Sequence, residues 1–312
     1  MRWLLIRHEI ILLAILVVAL IGLGFFNDRF LTLDNLLNQG RLMTEIGLIA
    51  LPMTFVIITG GIDLSVGAIV GLCAILLGYS WKNWGFPLPV AVVFALGVGA
   101  LAGAVNGLVI TRLKAPPLIV TIATLALYRG LAEGISKAHS VRGYPESFYW
   151  LGQGEALGVP TQLWVLGACM LVAGVALDRT SFGRTLYAMG SNETAARFSA
   201  LSVDRTKLIV YALSGLMSGL SAYVLVSRVT TTRSDMGLGY ELDVVAAVVL
   251  GGASIFGGSG SIWGTAIGLA MIQLLKNGLA LTGVKGDATI VVIGVVLIAS
   301  VLIASSLERR RE

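Results

Sequence analysis

Histidine, cysteine and charge are all scarce in this chain, and each shortage removes a class of function. The two histidines, His8 and His139, lie far apart, and no set of His, Cys or carboxylates has metal-ligand spacing. Cys73 and Cys169 fall inside apolar runs with no disulfide or metal spacing and read as small buried hydrophobes. Charged residues make up 12% of the 312 residues, against about 25% in a soluble domain. The pI near 9.4 does not point to nucleic acid, because the cations are scattered over loop ends, as positive-inside topology requires. Nucleotide and nucleophile motifs fail as well. GASIFGGS (252–259) has the spacing of a phosphate-binding loop, but Gly258 stands where the lysine must be. GGSGS (257–261) ends on Ser261 and so is not a nucleophile elbow. The chain is expected not to be an enzyme, and to hold no metal or cofactor of its own.

What is present is apolar surface. Hydrophobic residues account for 56% of the chain, and the mean hydropathy is +0.89. Apolar runs of about 17 to 25 residues recur from end to end, each long enough to cross a bilayer as a helix. The alternating strands of a membrane barrel are absent, so the expected fold is all-α, a polytopic helical membrane protein. Spans are expected near 9–26, 43–60, 64–80, 88–111, 117–135, 161–178, 207–227, 243–256, 260–282 and 287–306, some of them broken or re-entrant. The run Ile10 to Phe26 follows Arg2, Arg7 and His8, but no small-x-small cleavage site follows it, so it reads as a retained helix. Tightly clustered cations at 112–114 and 179–207 mark the inner side, which places both termini in the cytoplasm. No linker divides the chain, so residues 1–312 are expected to form one transmembrane domain. The aromatic segment 136–160 is expected at the outer interface, and 179–206 is the only sizeable inner loop.

Small residues recur at helix-turn spacing: Gly67 and Gly71; Gly99, Gly103 and Gly107; Gly130 and Gly134; Gly215 and Gly219; Gly260, Gly264 and Gly268. With little hydrophobic drive between helices in lipid, such stripes bring backbones into close contact; lining a conduit is the other reading. Polar groups at membrane depth are functional candidates. Asp63, with Ser65, follows the Gly60–Gly61 break in TGGIDLSVGA (59–68) and is placed to cap a helix beginning near Leu64. The same break also suits a solute or gating path, since irregular backbone at depth must face protein or a water-filled cavity. Asn106, Gln273, Lys276 and Asn277 interrupt apolar runs, either as interhelical glue or as hydrogen-bonding groups for a hydroxylated solute. No line of opposing charges is visible, which favours a neutral polar solute. LGGASIFGGSGSIWG (250–264) repeats the layout of the first break and hints at internal pseudo-symmetry.

The inner segment GRTLYAMGSNETAARFSAL (183–201) reads as a loop, a cap at Ser191 or Asn192, and a short helix. It is either an ordinary solvated connection or a knob that docks on a cytoplasmic partner, with Arg184, Arg197 and Arg205 pairing with that partner's acids. Together with TGGIDLSVGA and VVLGGASIFGGSGSIWGTAIG (248–268), this segment resembles the permease subunits of bacterial ABC importers for monosaccharides, the ribose, xylose, rhamnose and autoinducer-2 systems. The resemblance implies a second permease subunit in the bilayer, a cytoplasmic ATPase that binds the ATP and Mg, and a periplasmic binding protein that delivers the sugar. It also implies that Gly183, Arg184, Gly190, Asn192, Ala195, Ala196 and Arg197 form the ATPase-coupling loop. Gly60, Gly61, Gly251 and Gly252 would lie near the translocation path, with Asp63, Ser65, Asn106 and Asn277. One departure is Ala200-Leu201-Ser202-Val203, where many relatives have a glycine-containing turn. An ion-coupled carrier should show paired intramembrane carboxylates or basic residues near mid-bilayer, and only Asp63 offers itself; a passive channel needs no docking loop.

Overall fold

The computed structural model describes residues 28–281 without interruption, together with scattered positions within 10–25 and 283–295. The spans expected near 9–26 and 287–306, and with them both termini, lie outside that continuously described stretch. Its elements are α1 (Leu33–Ile58), α2 (Val66–Lys82), α3 (Leu88–Arg112), α4 (Pro117–Ser136), α5 (Glu146–Gln153), strands β1 (Glu155–Ala156) and β2 (Val159–Pro160), α6 (Thr161–Arg179), α7 (Ser181–Ser191), α8 (Glu193–Phe198), α9 (Val203–Val229), α10 (Tyr240–Leu250) and α11 (Ile262–Leu281). Six of these helices, α1, α3, α4, α6, α9 and α11, are long and apolar enough to cross a membrane.

Helix α1 begins ten residues earlier than its hydropathy suggests. Its first turns carry Asp34, Asn35, Asn38 and Gln39, which dilute the apolar signal, while the Thr32 side chain caps it by accepting the Asn35 N–H. Residues 44–58 of α1 and 66–78 of α2 are buried without a break, as expected of helices that are apolar all round. Helices α3, α4 and α6 lie outside them, with Val93, Leu101, Ile119, Ile122, Leu171 and Val172 exposed as lipid-facing surface. Proline opens α3 and α4 within their first two positions, where its missing N–H has no helical partner to lose. The span expected at 243–256 is corrected: α10 stops at Leu250 after 11 residues. That is about 16 Å of helix, half of a hydrocarbon core of about 30 Å.

Glycine sets the closest helix pair. On α3, a Cβ at Gly99 would stand 2.5 Å from the Gly215 carbonyl oxygen of α9, and one at Gly103 2.0 Å from that of Tyr211. Gly107 meets the Leu208 Cα in the same way, so the two stripes face each other and let the backbones touch. Gly264 and Gly268 of α11 do the same against Gly251, just past α10, and Ala247 of α10. Gly130 and Gly134 differ, with nothing within 4 Å of either position, so that stripe packs against no described part of this chain. The aromatic segment 136–160 is more ordered than a loop: Trp81 stacks on Tyr144 at 4.6 Å and Tyr144 on Phe148 at 4.6 Å, beside the β1–β2 hairpin.

Candidate functional site

Both glycine pairs singled out in the sequence are helix ends rather than breaks within a helix. At the end of α1 the Gly60 N–H reaches the Ile57 carbonyl at 2.9 Å and the Gly61 N–H that of Val56 at 3.0 Å, with Gly60 at φ +77°. At the end of α10 the Gly252 N–H reaches Val249 at 2.9 Å and the Ala253 N–H reaches Val248 at 3.2 Å, with Gly252 at φ +90°. This paired reversal is the Schellman stop, which needs a left-handed residue and so selects glycine. The similar layout of the two tracts therefore has a local cause: each is a helix followed by the same stop.

The end of α1 and the loop that leads into α11 meet the inner segment. The Ile58 carbonyl, left without a helical partner at the end of α1, accepts the Gly258 N–H at 2.9 Å. Gly190, near the end of α7, sits against the same groups: a Cβ there would be 1.8 Å from the Ile58 oxygen and 2.4 Å from the Gly258 nitrogen. The Tyr187 hydroxyl donates to the Gly260 carbonyl at 2.8 Å, and Ser261 accepts the first free N–H groups of α11. Three separated motifs, 58–61, 187–191 and 257–260, thus form one backbone-to-backbone junction. Gly183 serves the bend from α6 into α7, where a Cβ would stand 1.9 Å from the Leu177 oxygen. Arg184 on α7 is exposed. Gly251 packs against Gly264, outside the junction.

Helix α8 projects from this junction. The Asn192 side chain caps it through the Ala195 N–H at 2.9 Å. Ala195 is exposed but Ala196 is not: it packs with Met189, Leu201 and Val203 in a small separate core. Phe198 is 89% exposed, the apolar tip of the helix. The expectation that Arg197 waits for a partner's acids is corrected, because Arg197 binds Glu193 at 2.9 Å and Asp204 at 2.5 Å within this chain. Glu193 also holds Lys207 at 2.6 Å. Burial pushes the Glu193 carboxyl up, but hydrogen bonds from Lys207 and Arg197 outweigh it and hold the pKa below its ordinary value. A depressed carboxylate contributes stability above its unfolded pKa and loses it as pH falls through the folded one, so these pairs are complete at neutral pH. The turn after α8 is again a Schellman stop, with Ala200 at φ +58° in the left-handed position that favours glycine. Ala200→Gly is therefore expected to stabilise the chain by about 1 kcal/mol, the cost of a left-handed alanine. Thermal unfolding in detergent checks it, and an unchanged or lower midpoint would count against the assignment.

Asp63 does more than end a loop. It was expected to cap a helix starting near Leu64, but α2 starts at Val66 with Ser65 in the capping position. The Asp63 Oδ1 accepts the Ser65 N–H at 3.0 Å and the Ser65 hydroxyl at 2.6 Å, while Oδ2 accepts the Ser214 hydroxyl of α9 at 2.9 Å. Asn106 of α3 donates to the Ser65 hydroxyl at 2.8 Å, and Thr121 of α4 donates to the Ile62 carbonyl at 3.1 Å. Asp63, Ser65, Asn106 and Ser214 are all fully buried. The Tyr211 hydroxyl faces Gly61 from α9. Asp63, Ser65 and Asn106 thus form a node that ties α2, α3, α4 and α9 together next to the junction.

Asn277 does not join this node. It pairs with Asn35 at 2.9 Å near the opposite end of α1, one turn from the Gln273–Gln39 contact at 2.8 Å. Sequence reasoning singled out Lys276 but missed the charges around it. Glu45, 1% exposed, holds Arg228 at 2.6 Å and accepts the Tyr240 hydroxyl at 2.9 Å, and Lys276 pairs with Asp243 at 2.5 Å. Asp63 is therefore not the only carboxylate at depth. Glu45 lay inside the expected 43–60 span, so the cost of a charge in lipid was the signal that should have found it.

Residues 35–301 match the family described as the permease component of a branched-chain amino acid transport system, and the chain belongs to that family. It is a multi-pass protein of the inner membrane, a transport subunit rather than a catalyst. Among individual relatives it is 38% identical over 300 residues to the autoinducer 2 import system permease protein LsrD of Escherichia coli (strain K12) and of Shigella flexneri. The matches cover 94% of this chain and 91% of each relative. No solved structure matches the chain.

Proposed function

We propose that the chain is the membrane-spanning subunit of an ATP-driven importer that passes a neutral monosaccharide, of ribose, xylose, rhamnose or autoinducer 2 type, into the cytoplasm. A periplasmic binding protein delivers the solute, a second permease subunit of the same or a sister kind completes the path, and a cytoplasmic ATPase docks on α7 and α8 and supplies the ATP and Mg. The observation that carries the mechanism is Gly190, which places the docking segment in contact with the ends of two bundle segments at once. ATPase motion at α8 then reaches Ile58 and Gly258 through backbone contacts and repositions those ends around the Asp63 node.

Two substrate classes stand side by side, since the family description names branched-chain amino acids and the similar permeases are named for autoinducer 2. A zwitterion is held by charges or helix-end dipoles of both signs along its path. The pairs Glu45–Arg228 and Asp243–Lys276 already neutralise one another, which supports the neutral solute. In vesicles holding the chain with its ATPase and binding protein, labelled sugars of these types are expected to accumulate and leucine is not; accumulation of leucine alone would overturn the assignment. Docking has its own test. Phe198→Ala is expected to weaken ATPase association about tenfold or more, the usual cost of a hot-spot aromatic, without changing thermal stability. Unaltered association would remove Phe198 from the interface.

A further inference from the structure

Helix α8 has six residues, too few to stand as a helix without support. Among the described residues, the side chains of α8 itself reach only one other element, α9: Lys207 Nζ donates to Glu193 Oε2 at 2.6 Å, and Arg197 to the two Asp204 oxygens at 2.5 and 3.1 Å. Glu193 and Arg197 also bond each other across one helical turn, so the four charges form a closed clasp. The same four side chains, together with the turn at Lys114–Pro117, line a cavity of about 430 Å³. Helix α7 is held differently, by Gly190 and Tyr187 to the ends of α1 and α11. The two halves of the inner segment therefore grip two different parts of the bundle. Helix α9, which carries Lys207, also carries Ser214, the residue through which it reaches Asp63.

We infer that Glu193, Arg197, Asp204 and Lys207 form the force-bearing joint that makes α8 and α9 move as one body. The joint delivers the ATPase stroke along α9 to the Asp63 node, and these four are positioning residues that set how much solute is moved per ATP. Exposed ion pairs contribute little to stability, and Arg197 and Asp204 are each about half exposed, so loss of the clasp is expected to leave the fold intact. The inference rests on the importer reading above.

Lys207→Glu is the sharpest variant, because Lys207 is 13% exposed, lies on α9 and meets Glu193 directly. In vesicles with ATPase and binding protein, the variant is expected to bind the ATPase and hydrolyse ATP normally while solute moved per ATP falls about tenfold, within the range of coupling between distant sites. A second variant carries Glu193→Cys and Lys207→Cys in a Cys169→Ala background, Cys73 being buried. Joining the pair with a cleavable bis-maleimide is expected to restore transport per ATP, and cleaving the linker to remove it again. Wild-type stoichiometry in Lys207→Glu overturns the inference, as does a linked pair no better than the unlinked one. Loss of the ATPase from both variants also overturns it, since the clasp would then be a folding element only. Wild-type vesicles that accumulate nothing with ATP would instead overturn the importer reading.

Discussion

Gly190→Val is expected to abolish ATP-driven uptake while leaving the bundle folded. The Cβ alone would lie 1.8 Å from the Ile58 oxygen and 2.4 Å from the Gly258 nitrogen, both backbone atoms that cannot swing aside. Either α7 retreats or the Ile58–Gly258 hydrogen bond opens, and overpacking of this kind costs about 1–3 kcal/mol or more. The damage stays local, because the packing of α3 against α9 through Gly99, Gly103 and Gly215 lies elsewhere. Gly190→Ala is expected to act in the same direction, since the clash begins at Cβ. The check is uptake beside a melting curve. Wild-type uptake by Gly190→Val would show that the junction carries no motion, and an unfolded protein would show that it is a core contact instead.

Asp63→Ala is expected to lower the stability of the purified chain by about 3 kcal/mol or more. The substitution leaves the Ser65 N–H, the Ser65 hydroxyl and the Ser214 hydroxyl without their acceptor in a site closed to solvent. Each stranded buried group costs about 1–3 kcal/mol. Asp63→Asn keeps one acceptor oxygen and is expected to lose less than half as much. Tryptophan fluorescence during thermal unfolding in detergent measures both. An Asp63→Ala chain as stable as the wild type would mean that the node is held together by packing alone.

Most of the architecture was legible because long apolar runs admit one solution in lipid. The limits of α3, α4 and α6 agree with the expected spans within a residue or two, marked by Pro89, Pro117 and the cationic ends Arg112 and Arg179. The start of α1 was hidden because hydropathy records polarity and not helicity, and Asn35 and Gln39 are polar yet helical. The end of α10 was hidden for the opposite reason. The stretch after Leu250 remains apolar through Ile255 and Phe256, but Gly252 at φ +90° stops the helix. Asn192 was legible as a cap from its residue type and place. The inward use of Arg197 was not, since it depends on Asp204 standing seven residues along on another helix. The convergence of 58–61, 187–191 and 257–260 was beyond reach for the same reason: nothing in one sequence states which helix ends lie together. What could be read was that each stretch was unusual: Gly190 and Gly257 press backbone on backbone at one point, and Gly60 ends α1 there with its left-handed φ of +77°.

The central claim is that this chain moves solute only when an ATPase drives it through α7 and α8. Uptake of labelled sugar into vesicles containing the chain, its partner permease and the binding protein, with and without the ATPase and ATP, tests this most directly. Accumulation is expected only when both ATPase and ATP are present, and is expected to vanish with Gly190→Val. Equal uptake in their absence would contradict the account and leave a carrier or channel in its place.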